Sequence, residues 1–435
     1  MGRRSDLGQA NTISSGSDLR VLCAFNVNID CVHTITGKEI ESLFRDISLS
    51  HGIREIPSEI ASLETLSISI LYHMRRGTGG ELIINSEKVA DEIASLFPWE
   101  TRMGGNAGNI ANVLAALGAE PVVNVPSLTP RQASLFHPAV RVPVMGGGVS
   151  LTDPVHASKE GQELRHFVIQ YMGGESVDLP SGRITAPREN RIIATFDPMN
   201  RVMHINPAFR AFLERPDPAV RGVVLSGFHL VPYEMHREIF EERLGLMRGW
   251  LDTRYSHAEM GSFERPEIMR YLLGILEVDS IGMNEDELSM LVDSGEKWEE
   301  IAGAAEQIHD EFGIPRVCVH TREFTVSISP DPIKEIAALE MGAEIAGRLA
   351  ATGCIEREVE LGVNDAGRKA VEEVVRLGGT KAGLGAFKEK GGSSVCVHPS
   401  FVAPDPVTTV GLGDALTAAT VYVLMKYLPV FRSCS

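Results

Sequence analysis

The chain has 435 residues, 43% hydrophobic and 23% charged, an ordinary globular composition with ample material for a large core and a length that favours two units over one. Its net charge of −17 argues against nucleic acid or an anionic membrane surface as a partner, while leaving room for a locally basic pocket that takes a small phosphorylated ligand. None of the six cysteines has a CxxC or Cys/His metal spacing; Cys23, Cys318 and Cys396 sit in apolar, strand-like runs and are expected as reduced core thiols, which fits a cytoplasmic compartment.

Residues 1–18, "MGRRSDLGQANTISSGSD", are rich in Ser and Gly, lack an apolar signal core and are expected as a disordered tail. "VLCAFNVNID" (21–30) reads as one buried strand with a polar C-terminal end, where Asn28 and Asp30 share a face two residues apart. In open α/β sheets that end is where ligands sit. "IESLFRDI", "EIASLETLSISILYHMRRG" and "SEKVADEIASLFPW" read as helices, the last with a serine cap. "GGNAGNIANVLAALGAEPVVNV" reads as a glycine turn, a helix with an apolar stripe, a glycine stop and a strand. Asn106 and Asn109 in this stretch offer amides that suit sugar hydroxyls; the plain alternative is a helix-initiating turn.

"ELRHFVIQYM" and "NRIIATF" look like strands of a separate sheet with basic residues at their margins. From position 221 strands alternate with helices, which implies a parallel sheet covered on both faces. "EKGGSSVCVHPSFVAP" reads as antiparallel and leads into "TTVGLGDALTAAT" (408–420). There Gly411 and Gly413 precede Asp414 at the first turn of an apolar helix. A helix N-terminus has free N–H groups for an anion, so Asp414 is either a cap or a carboxylate working beside a phosphate. No uncharged apolar run reaches membrane-spanning length.

The ordered set of NxD near the start, GGN near position 105 and GxGD near the end resembles the ribokinase superfamily. "LSGFHLV", "HAE" (257–259), "MNEDEL" (283–288), "VHTREF" (319–324) and "VGLGDALTA" narrow the resemblance to the archaeal ADP-dependent sugar kinases, over about residues 20–425. The resemblance implies an α/β fold: a ribokinase-like large domain with a central, mostly parallel sheet covered by helices, plus a smaller discontinuous α/β lid. The expected division gives 19–30, 45–70, 105–162 and 208–435 to the large nucleotide-binding domain, and 31–44, 71–104 and 163–207 to the lid.

Carried onto this sequence, the resemblance makes Asp414 the catalytic base and the turn Gly411–Gly413 an anion hole. Asn28, Asp30, Gly105, Asn106 and His166 would hold the acceptor sugar. Arg191 and Arg201 would neutralise a sugar 6-phosphate, and Glu81 in "GTGGE" would read glucose. His320, Thr321, Val410, Gly411, Leu412 and Gly413 would face the nucleotide. Glu259 of HxE, with Asn284 and Glu287 of NxxE, would serve Mg2+ or another hard divalent cation. A capping box explains Asn284 and Glu287 without any metal. The implied reaction moves the β-phosphate of ADP to fructose 6-phosphate, with glucose as a second acceptor, in a monomer or small homo-oligomer. The competing readings are an ADP-dependent glucokinase, an ATP-dependent sugar or nucleoside kinase, and a non-catalytic sugar or nucleotide sensor.

Overall fold

The structure, a computed structural model, describes residues 19–45, 56–179, 182–408 and 410–426; the expected tail over 1–18 lies outside them. The chain builds two main sheets. The larger has ten strands, in the order Thr380–Ala382, Gly385–Lys390, Ser393–Pro399, Phe324–Ser329, Arg316–His320, Ser280–Asn284, Tyr255–Glu259, Val220–Leu225, Arg20–Ala24 and Glu120–Val123. From Arg316–His320 through Glu120–Val123 the neighbours pair parallel, and the remaining strands add antiparallel. The smaller sheet has five strands, in the order Gly80–Ile83, Asn190–Phe196, Arg165–Tyr171, Asn28–Thr34 and Glu100–Gly104.

Helices cover both faces of the large sheet. One face buries Phe228, Phe240, Leu272 and Ile301 under the helices His236–Leu251, Pro266–Ile275 and Trp298–Phe312. The other carries Asn106–Ala116, Leu412–Lys426 and Pro332–Thr352. The helix Leu412–Lys426 packs between its two neighbours and is apolar nearly all round, with Ala415, Ala418, Ala419, Val421 and Met425 each buried. Its first turn therefore cannot swing away, and what it carries there is held in place. Cys23, Cys318 and Cys396 are buried free thiols, as the apolar runs around them predict. Among the described residues no helix is long and apolar enough to cross a membrane.

Two expectations change. "VLCAFNVNID" is not one strand: Arg20–Ala24 belongs to the large sheet and Asn28–Thr34 to the small one, so Asn28 and Asp30 open a strand rather than end one. The break comes at Asn26, whose side chain bonds Ser226 and Asn106 rather than a sheet neighbour. The sequence places 45–70 in the large unit, yet its described part from Ile60 onward packs on the small sheet. Helix Leu63–Arg76 starts at a Ser62–Thr65 capping box and stops at Gly77. Its stripe Leu66, Ile70, Leu71 and Met74 is buried with Phe167, Ile169 and Ile192 of the small sheet.

Candidate active site

The segments that follow the strands Arg20–Ala24, Val220–Leu225, Tyr255–Glu259 and Ser280–Asn284 bring Asn26, His229, Ser262 and Glu287 to one cleft of about 280 Å³. These are C-terminal strand ends, where open α/β sheets bind ligands. The small sheet faces them with Asn28, Asp30, Glu81, His166 and Arg191. Gly105, Asn106, Asn109, Val410, Gly411 and Asp414 also line it.

Asp414 sits in the first turn of its helix, behind Gly411 at φ +75°. Its two carboxylate oxygens accept from the Asn106 and Asn109 side-chain amides at 2.8 and 2.9 Å. Asn106 in turn accepts from Asn26 Nδ2 at 3.1 Å, and Asn26 Oδ1 accepts from the Ser226 hydroxyl at 2.9 Å. This chain of bonds fixes the carboxylate from three separate elements. Burial raises the Asp414 pKa, and the two amides only partly offset it. Asn106 and Asn109, expected on sugar hydroxyls, spend their amides on this carboxylate instead.

The glycine pair before Asn106 has a packing reason. A Cβ on Gly104 would stand 2.1 Å from Asp30 Oδ1, and one on Gly105 would stand 2.6 Å from the Asn26 carbonyl. The turn must therefore stay bare for the polar strand to lie against it.

Asp30 accepts from Asn28 Nδ2 at 2.7 Å, and burial lifts its pKa to about 6. Burial alone would push the His166 imidazole down; its 3.0 Å contact with the buried Asp197 outweighs that and raises it to about 9. Glu81 accepts from Thr195 Oγ1 at 2.6 Å. Arg191 lines the cleft, but Arg201 does not. In the short turn Asn200–Val202 it is Asn200 that points inward, bonding the Val27 carbonyl at 3.1 Å and Asp197 at 2.7 Å, while Arg201 is left partly exposed.

The residues expected at a metal do not form a direct cage: among the described residues no three His, Cys, Asp or Glu side chains gather closely enough. Glu259 lies between His257 at 3.1 Å and His320 at 3.7 Å and accepts from Thr417 Oγ1 at 2.9 Å. Burial opposes its charge, but the two histidines outweigh that and hold its pKa down at about 2. Asn284 and Glu287 form the full capping box, with the Glu287 N–H on Asn284 Oδ1 at 2.8 Å and the Asn284 N–H on Glu287 Oε2 at 3.0 Å. Glu287 still lines the cleft, and burial together with the nearby Glu259 charge lifts its pKa to about 7. A buried carboxylate facing Glu259 and Asp414 fits a hydrated magnesium ion, which takes one or two carboxylates and completes its shell with water and phosphate.

His320 packs on the glycine turn, its ring 2.9 Å from where a Cβ of Gly413 would be. The Thr321 hydroxyl is used within its own turn, accepting from the Glu323 and Phe324 N–H groups and donating to the Phe324 carbonyl. Val410 and Gly411 line the cleft, whereas Leu412 and Gly413 open the helix. Sequence reading missed Asn26, His229 and Ser262 as lining residues. Asn26 carried a signal, since it continues the alternation of Asn28 and Asp30.

Residues 19–423 match the conserved region of ADP-specific phosphofructokinases and glucokinases. The chain is 26% identical to an ADP-dependent glucose/glucosamine kinase of Pyrococcus abyssi, covering 93% of this chain and 94% of that one. It is 25% identical to an ADP-specific phosphofructokinase of the same organism, covering 96% and 99%. Among solved structures it superimposes with a TM-score of 0.79 on a hypothetical ADP-dependent phosphofructokinase from Pyrococcus horikoshii, at 23% identity over 94% of this chain and 98% of that one. An ADP-dependent kinase in complex with fructose-6-phosphate and ADPbetaS gives 0.76, at 22% identity over 94% and 95%. With a match that runs nearly from end to end, this chain belongs to the ADP-specific phosphofructokinase/glucokinase family.

Proposed function

We propose that the protein is an ADP-dependent sugar kinase that transfers the β-phosphate of ADP to fructose 6-phosphate, giving fructose 1,6-bisphosphate and AMP, with glucose as a second acceptor. Family membership supports the reaction class. The observation that carries the residue assignment is the Asp414 carboxylate, clamped by Asn106 and Asn109 at a helix N-terminus and open to a cleft lined with polar side chains.

In this reading Asn28, Asp30 and His166 hold the acceptor so that its hydroxyl faces Asp414. The hydroxyl oxygen attacks the β-phosphorus, the bond from phosphorus to the bridging oxygen breaks, and AMP leaves. Asp414 accepts the hydroxyl proton, and its raised pKa makes it a better base than an ordinary surface carboxylate. The N–H groups of the turn from Gly411 and the positive end of the helix stabilise charge on the transferring group. Glu287 is the residue that would hold magnesium, which when bound supplies positive charge to the phosphates. The small sheet closes the cleft against water that would otherwise hydrolyse the nucleotide.

Arg191 is the arginine that lines the cleft, and it suits a 6-phosphate, since its guanidinium fork takes two oxygens at once. Glu81 in the same lining favours glucose as the second acceptor. The buried free thiols fit work in the cytoplasm. Steady-state assays of ADP and ATP against fructose 6-phosphate and glucose test the proposal. ADP with fructose 6-phosphate is expected to give the highest kcat/KM, and turnover with ATP alone would overturn the donor assignment.

A further inference from the structure

His229 has no part in the mechanism above, yet three features of its surroundings give it a task. In the short 3-10 turn Phe228–Leu230, Phe228 is fully buried and meets Phe25 and Phe240 edge to face, while His229 lines the cleft. The next strand's loop makes room for it: a Cβ on Gly261 would stand 2.2 Å from His229 Nδ1, and the Phe263 ring meets the imidazole edge to face. Finally, Nδ1 is buried without a hydrogen-bond partner. With Nδ1 closed off against Gly261, the ring nitrogen left for a ligand in the cleft is Nε2, which has no protein hydrogen-bond partner among the described residues.

The charged and titratable groups that face this ring, Glu81, His166 and Asp197, all come from the small sheet. Burial holds the imidazole below its ordinary pKa, so it is neutral, and its Nε2 can donate to or accept from a ligand group according to the tautomer. A hydroxyl group also donates and accepts. A phosphate offers only acceptors at neutral pH and calls for a cation.

We propose that His229 is an acceptor-recognition residue, the large sheet's contact to a sugar hydroxyl opposite Glu81 and His166. It thereby joins the two sheets through the sugar and selects a polyol by its hydroxyls rather than by its phosphate. The inference rests on the sugar-kinase reading of the same cleft.

The test compares His229→Ala and His229→Gln with the unaltered enzyme, using fructose 6-phosphate and glucose at saturating ADP. Loss of one hydroxyl contact predicts an acceptor KM raised about tenfold or more in the Ala variant for both sugars. The KM for ADP, measured separately at saturating sugar, should stay within about twofold. The Gln variant, which keeps a donor and an acceptor, should recover most of the loss. Thermal shift with AMP and sugar present gives a readout free of turnover: the sugar-induced rise in Tm should shrink in the Ala variant and return in the Gln variant. Equal changes in the acceptor and ADP constants, or an unchanged acceptor KM, would overturn the inference. Failure of the unaltered enzyme to phosphorylate either sugar would instead overturn the functional reading beneath it.

Discussion

Asp414 and Glu287 are both buried carboxylates with raised pKa values, but their surroundings differ and so do the expected effects. Asp414→Asn removes the proton acceptor while leaving an isosteric group between Asn106 and Asn109. Turnover should fall by about 10²–10⁴-fold with nucleotide binding retained. Because the folded protein binds the Asp414 proton more tightly than the unfolded chain does, ionising it destabilises the fold as pH rises. The Asn variant is therefore expected to melt no lower than the parent at neutral pH. The parent's kcat/KM should fall as the pH drops through a pKa above the ordinary carboxylate range, with no such limb in the variant. Glu287→Gln keeps an oxygen for the Asn284 N–H but loses the charge. The melting temperature should hold while apparent magnesium affinity drops about 10–100-fold. Glu287→Ala loses the bond to the Asn284 N–H as well, which costs roughly 0.5–1.5 kcal/mol in urea unfolding. If the Gln variant matches the parent at every magnesium concentration while the Ala variant is only less stable, Glu287 is only a cap.

Between elements, the strand Arg316–His320 and the helix Pro332–Thr352 are joined by a buried ion pair. The Arg316 fork meets both Glu335 oxygens at 2.8 Å, and its remaining nitrogen donates to Ser280 Oγ at 2.8 Å. Removing one partner leaves the other charge buried alone, so Glu335→Ala should lose about 3–5 kcal/mol in denaturant unfolding. A loss below about 1 kcal/mol would mean that water reaches the site. This scale is also where sequence reading succeeded and failed. The helix Asn106–Ala116 was legible from its glycines and apolar stripe, and the small sheet from basic-edged strands such as Arg165–Tyr171. The crossing at Asn26 was not, because apolar residues flank it on both sides and nothing in the periodicity marks a change of sheet. Arg201 was named for its charge, but the inward position belongs to its neighbour Asn200, and local sequence does not encode which of two adjacent polar residues turns in.

Across the whole molecule, the two sheets supply different halves of one site. Asp414 and Glu287 come from the large sheet's side, while Glu81 and Arg191 come from the small one. Acceptor choice is therefore expected to be separable from catalysis. Arg191→Ala should lower kcat/KM for fructose 6-phosphate by roughly 10²-fold and leave glucose nearly untouched. Glu81→Ala should do the reverse, with a cost of about 1.5–3 kcal/mol on glucose, the range for a hydrogen bond to a charged group. Arg201→Ala, outside the cleft, should change neither sugar by more than about twofold. Equal losses on both sugars in the first two variants would mean that they support the fold of the small sheet. The most direct measurement is 31P NMR of the enzyme with ADP, fructose 6-phosphate and magnesium. The β-phosphate signal of ADP is predicted to disappear as the C1 phosphate of fructose 1,6-bisphosphate and an equimolar amount of AMP appear, with neither product forming in Asp414→Asn on the same timescale. Release of inorganic phosphate instead, or ADP left intact beside unchanged fructose 6-phosphate, would contradict the account.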